Sequence, residues 1–286
     1  MAIRRRGLPR GWYPDDGDSL RELVASWEGM AAAPRPGALA AVAPHAGWAF
    51  SGRIAAIALS SLLPASKDAS SPETLVVFGG HLPPGAAALA ARESAYETPL
   101  GPIQADLELL SALETSLGGP AALESDVDVD NTVEVLLPLV AAILPGRRVL
   151  WLRAPNDRSS IELGEAVCAA AASLGRSVLG LGSTDLTHYG PNYGFSPKGR
   201  GREAEAWVRD TNDRRFIEAL LALDGAEAVE RGEAERSACS PGAAAAALAF
   251  ARASGASRAE LFAYATSLEL RRDESFVGYA ALGFFK

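Results

Sequence analysis

Short apolar runs, each stopped by a loop containing glycine or proline, alternate with longer helical patterns along almost the whole chain. This alternation is what most limits the fold. Ala38–Ala43, Thr74–Phe78, Arg148–Leu152 and Val178–Leu181 have strand length and are rich in aliphatic or β-branched side chains. Between and after them, Ser19–Trp27, Ser51–Leu63, Val133–Leu144, Ser159–Leu174, Glu203–Leu223 and Pro241–Ala253 read as helices. Leu261–Ala265 and Phe276–Phe285 close the chain as two more apolar segments. Strands interleaved with helices predict an α/β fold, one domain over residues 1–286, with a central mixed sheet flanked by helices. No linker or internal repeat interrupts it; the loops Leu63–Glu73, Gly118–Asp130 and Tyr189–Gly201 are each bounded by patterned segments.

Local signals add detail. Ser19 followed three residues on by Glu22 reads as a capping box, and Ser159 with Glu162 as another helix start. Asn131 can cap the next helix, which Pro138 should kink. The alanine runs Ala86–Ala91, Ala169–Ala172 and Ala243–Ala247 read as tightly packed helix surfaces.

With 48% hydrophobic residues and both charge signs present, the chain is globular rather than disordered. Its net charge of −8 argues against nucleic acid or an anionic membrane as partner. No apolar run approaches the roughly 18–20 residues needed to span a bilayer. Arg4-Arg5-Arg6 is followed by Gly11-Trp12-Tyr13-Pro14-Asp15-Asp16, which is no signal-peptide apolar region. The expected location is therefore cytoplasmic, with Cys168 and Cys239 kept as thiols.

The chain has three histidines, His45, His81 and His188, and each comes just after a predicted buried strand. Open α/β sheets bind ligands beyond the carboxyl ends of their strands. A lone histidine there is more often an ordinary loop residue, but three in one topological position point to a metal or acid/base site. If they share a site, no two imidazoles should lie more than about 15 Å apart. Cys239, before Ser240 as helix cap and Pro241 as first helical residue, sits at a helix N-terminus that favours a thiolate. Cys168 lies inside an alanine-rich helix and behaves as a small buried hydrophobe. Asp185 precedes His188 by three residues and either orients its imidazole or merely caps the turn after its strand. Asp126, Asp128 and Asp130 read as a solvated loop, because the glycine and terminal glutamate of a calcium loop are missing. No phosphate loop, dinucleotide fingerprint or G-x-S-x-G elbow is present.

Several motifs in series make the chain recognisable: Gly11-Trp12-Tyr13-Pro14, Ala43-Pro44-His45-Ala46-Gly47-Trp48, Gly79-Gly80-His81 and Tyr96-Glu97-Thr98-Pro99-Leu100-Gly101. Val133-Glu134-Val135-Leu136-Leu137-Pro138, Ser183-Thr184-Asp185-Leu186-Thr187-His188-Tyr189-Gly190, Tyr264-Ala265-Thr266-Ser267 and Val277-Gly278-Tyr279-Ala280 follow. From about Gly11 to Phe285 the order resembles the Memo-like family, which includes the B component of the AmmeMemoRadiSam system. That family is similar to the class III extradiol ring-cleavage dioxygenases, non-haem iron enzymes of α/β architecture. The resemblance implies that His45, His81 and Cys239 ligate a metal and that Asp185 and His188 line the same pocket, His188 as acid/base. It also implies partner proteins of radical-SAM and AMMECR type. Three departures stand out. The family often has glycine after the site cysteine, where Ser240-Pro241-Gly242 stands here. It often has a Pro-Ser-His-like stretch in place of Gly79-Gly80-His81. It often carries Glu-His where Asp130-Asn131-Thr132 stands, which removes a potential further ligand or base. The first two should reshape the pocket wall.

The leading expectation is a redox or oxygen-handling enzyme acting on an unidentified small molecule or peptide. Its divalent transition metal would be iron first, with copper or zinc as alternatives. The alternative is a non-catalytic metal- or peptide-binding module on a degenerate dioxygenase scaffold. A third is a cysteine hydrolase with Cys239 as nucleophile and His188, oriented by Asp185, as base.

Overall fold

The computed structural model describes residues 2–27, 34–66 and 72–286. The centre of the loop Leu63–Glu73, residues 67–71, lies outside the described residues. The chain opens with β1 (Ile3–Arg4), α1 (Gly17–Ser26), β2 (Ala40–Ala43), α2 (Trp48–Ser61) and β3 (Thr74–Leu82). Short strands β4 (Leu89–Ala90), β5 (Ala95–Tyr96) and β6 (Ile103–Gln104) lead to α3 (Leu107–Ser116) and β7 (Glu124–Ser125). Then come α4 (Asn131–Glu134), α5 (Leu137–Ile143), β8 (Arg148–Pro155), α6 (Ser159–Ser173), β9 (Val178–Ser183) and β10 (His188–Tyr189). The last part holds α7 (Arg202–Trp207), α8 (Asp213–Leu221), α9 (Gly225–Glu235), α10 (Pro241–Ala253), β11 (Arg258–Thr266) and β12 (Phe276–Phe285).

The principal sheet has the order β10-β12-β2-β9-β3-β8-β4-β7, with β11 also paired to β12. Its centre, β2-β9-β3-β8, is parallel, whereas β12 runs antiparallel to β2 and β4 antiparallel to β8. This is the mixed sheet the alternation predicts. Successive residues of each strand face opposite sides. Leu75 and Val77 pack with α1, α2 and α5, while Val76 and Phe78 pack with α3, α6, α8, α9 and α10. Both faces are therefore covered, and the chain is a single-domain α/β structure.

Helix α10 decides where the site can form. Its residues Pro241 to Ala251 are all buried, and its alanines let it lie directly on the sheet. A Cβ on Gly164 of α6 would stand 2.1 Å from the Ala246 carbonyl oxygen, and one on Gly182 of β9 2.7 Å from the Ala243 carbonyl oxygen. Backbones in such contact leave no room for a methyl. Gly164→Ala should therefore lower stability by about 1–3 kcal/mol through overpacking, even after the roughly 1 kcal/mol gain in helix propensity. A fall in the urea midpoint at constant slope would show it; a rise would mean that α10 has slack.

Some local expectations fail for physical reasons. Helix α1 is capped by Asp16, whose carboxylate accepts from the N–H groups of Asp18 and Ser19, so Ser19 lies inside the first turn. Asp130, not Asn131, caps α4 through the Thr132 N–H. Pro138 does not kink a continuous helix; the helix breaks before it, and Pro138 takes the first turn of α5, where its missing N–H is harmless. Ala86–Ala91 is not helical, because Leu89 and Ala90 pair with β8 and β7. The expected helix Glu203–Leu223 is interrupted by a π turn at Val208–Asn212.

Candidate metal centre

The carboxyl ends of the central parallel strands carry the site. β2 ends at Ala43, two residues before His45, and β9 ends at Ser183, two before Asp185. Strand β3 continues further than the apolar run implied, so His81 lies within it. Its register against β8 shifts between Gly79 and Leu82, and His81 takes the left-handed φ of 60°. Such a bulge re-aims a side chain off the sheet. Cys239 arrives from the other direction, just before α10, its N–H donating to the Asp185 carbonyl at 3.1 Å.

The result is compact. Ligand atoms of His45, His81 and Cys239 all lie within 4.8 Å of one another, with Cys239 Sγ 3.2 Å from His45 Nε2. The two imidazoles meet edge to face, 5.0 Å between centroids. His188 joins His45, His81 and Asp185 in lining one cavity of about 420 Å³, whose wall also includes Trp12, Phe50 and Tyr193.

Hydrogen bonds fix which nitrogen each ring presents. The Ser183 hydroxyl donates to the Thr132 carbonyl, so its oxygen is free to accept from His45 Nδ1–H at 2.9 Å. His81 Nδ1–H donates to Asp130 Oδ2 at 3.0 Å. Both rings therefore turn Nε2 inward, where its lone pair can bind a cation; this is how outer partners normally orient metal-binding imidazoles. The chemistry of the donor set agrees. Two imidazoles and a thiolate suit iron, copper or zinc better than magnesium or calcium. The His-His-Cys cluster is compatible with metal binding.

Electrostatics separate charge within the cluster. Burial works against ionising Cys239, yet the facing His45 and His81 hold its thiol well below the ordinary value. Burial likewise opposes charge on His81, but Asp130 and Cys239 outweigh it and raise the imidazole to about 10. His45 is also raised against burial, by Cys239 and Asp185. The facing imidazoles thus favour the thiolate, at the helix N-terminus where the sequence placed Cys239.

Asp185 has a different place from the one its spacing suggested. Its carboxylate accepts from the His45 N–H at 2.7 Å, and its carbonyl from Cys239, so it braces two of the three candidate ligands. His188 instead places Nδ1 3.2 Å from the Leu186 carbonyl, which leaves Nε2 as the acceptor nitrogen. Tyr193 closes against its ring at 4.9 Å. No hydrogen bond among the described residues joins Asp185 to His188. His45, not His188, stands at Cys239, so the Asp185–His188–Cys239 arrangement of a cysteine hydrolase is not assembled. Cys168, on α6, is half-buried against Ser254 at the end of α10, outside the site.

Sequence reasoning missed the acidic stretch. Asp126 is buried and accepts from the Trp151 indole at 2.8 Å, whereas Val127 and Val129 are 81% and 70% exposed. In this extended stretch alternate residues share a face, and here Asp126 and Asp130 turn inward while Asp128, its side chain 64% exposed, reaches Arg153 from the surface. Arg153, 4% exposed, explains it by pairing with Asp126, Asp128 and Asp130. A lone arginine inside the apolar run of β8 was the available signal. Asn131 also contributes, donating from Nδ2 to the His45 carbonyl at 2.9 Å.

The family model described as Memo-like protein matches residues 6–283. A MEMO1 family protein of Pyrococcus horikoshii is 32% identical over 98% of this chain and 99% of its own length. One from Pyrococcus furiosus is 32% identical over 98% of each chain. One from Methanosarcina barkeri is 31% identical over 98% of this chain and 99% of its own.

Proposed function

The chain belongs to the Memo-like protein family, and from that premise we propose that it is a metal-dependent redox enzyme of dioxygenase type. A divalent first-row metal, iron in the first instance and copper or zinc otherwise, is held by His45, His81 and Cys239. The observation that carries this reading is the locking of both imidazoles with Nε2 turned toward the same point as the thiolate. Three protein donors leave coordination positions open for a substrate. Bound iron or copper would supply one-electron chemistry and Lewis acidity at that point.

The chain's own residues do the rest. Ser183 and Asp130 hold the two rings in one tautomer, and Asp185 fixes the His45 and Cys239 backbones relative to each other. His188 offers Nε2 to the cavity as a base, its other nitrogen being taken by the Leu186 carbonyl. Metal analysis of protein purified anaerobically tests the reading. Close to one iron or copper per chain supports it; zinc alone would support the site but favour the binding module described below, and metal-free protein that also fails to take up any of the three overturns it.

Binding must displace protons from imidazoles whose affinity for them is raised, His81 to about 10. Metal affinity should therefore climb with pH from neutrality towards 10, by at least about one log unit per pH unit. Titration in weak buffer near pH 7.5 should show net acid release. Affinity that is flat with pH would mean the metal does not replace these protons.

A second reading, a non-catalytic metal- or peptide-binding module, draws on one observation: among the described residues no carboxylate hydrogen-bonds to His188 to support it as a base.

A further inference from the structure

The backbone at His81 is held in a conformation that non-glycine residues rarely adopt, at φ 60°. Such a residue persists only where its surroundings over-determine it. Three contacts do so. Asp130 takes the ring, the Arg153 Nε–H donates to the preceding Gly80 carbonyl at 2.9 Å, and Ser240 Oγ accepts from the His81 N–H at 3.2 Å. Ser240 is wholly buried and directly follows Cys239, so one side chain joins the strand of one candidate ligand to the loop of another.

Space at this point is shared. A Cβ built on Gly80 would lie 2.2 Å from both Cβ and Oγ of Ser240. One hydroxymethyl group fits between β3 and the loop before α10, and two do not. We propose that Gly80 and Ser240 are coupled, sharing a space that holds one hydroxymethyl group and would allow its exchange between loop and strand, and that Ser240 is a positioning residue for His81.

The metal part of this inference rests on the function proposed above, and the coupling part does not. The test uses cobalt(II) alone as probe, with affinity from chelator competition and the thiolate-to-cobalt absorption as a spectroscopic readout. Ser240→Ala and Ser240→Gly should each weaken cobalt binding about 10–100-fold, as loss of an outer partner does. The thiolate absorption should remain, because Cys239 is untouched. Gly80→Ser alone should collide with Ser240, giving insoluble protein or a sharply lowered urea midpoint. Gly80→Ser/Ser240→Gly should recover both solubility and cobalt affinity to within about threefold of wild type, a non-additivity expected only of groups in contact. Ser240→Ala binding cobalt like wild type would overturn the positioning role. A double variant no better than Gly80→Ser, in solubility or in midpoint, would overturn the exchange. If wild type takes up no cobalt, the metal reading fails, and the urea midpoints of the four metal-free proteins still decide the coupling.

Discussion

A His45→Ala/His81→Ala variant should bind iron(II) or copper(II) about 10⁴–10⁶-fold more weakly than wild type. Sites with four protein ligands contribute about 10–16 kcal/mol, roughly 2.5–4 kcal/mol per ligand, and two ligands lost together give that range. The estimate is an order of magnitude, because the outer partners that orient each ring change with it. Loss of His45 leaves Ser183 Oγ without its imidazole donor in a buried place, and loss of His81 strips Asp130 of one of its cationic neighbours. Urea unfolding of the metal-free variant separates these costs from lost ligation: a folded protein with a normal slope and no affinity supports direct coordination. Competition against a chelator of known strength gives the number. Unchanged affinity in the double variant would falsify the proposed metal centre.

Removing His188 should leave metal affinity nearly intact and reduce turnover about 10²–10⁴-fold, the usual worth of a positioned acid or base. The separation is expected because His188 lines the same cavity yet stands outside the three-ligand cluster. Oxygen uptake by iron-loaded protein across catechols and other reduced small molecules, wild type beside His188→Ala, is the measurement. Equal uptake by both, or none above free iron, would favour the binding module. Asp185→Asn provides a contrast. Its spacing from His188 suggested a loss of turnover alone, but its carboxylate receives the His45 N–H and its carbonyl the Cys239 N–H. Any loss should therefore fall on metal affinity as well. An Asp185→Asn variant with wild-type affinity and impaired turnover would return Asp185 to the role its spacing first suggested.

Particular residues show why the sequence could carry some of this and not the rest. Apolar strands and alanine-rich helices are local in origin: side-chain period and propensity act over a few residues, so β2, β3, β8, β9, α6 and α10 were legible within a few residues of their observed ends. The rule that ligands gather at the carboxyl ends of parallel strands then brought His45, His81 and His188 to one edge before any coordinates existed. What remained invisible was every interaction whose partners are far apart along the chain. Asp130 meets His81 across 49 residues, Ser183 meets His45 across 138, and Ser240 meets His81 across 159. Asp126 and Asp130 look as solvated as Asp128 until Arg153 is folded beneath them. Asp185 stays open between orienting His188 and capping its own turn until the loop after β2 puts the His45 N–H within 2.7 Å. Sequence alone determined which chemical groups reach the site, because strand ends are set locally. Only the tertiary structure decided which nitrogen faces inward, which carboxylate holds which ring and which small residue must stay small, because hydrogen bonds and steric exclusion act over about 3 Å in space, whatever the distance along the chain.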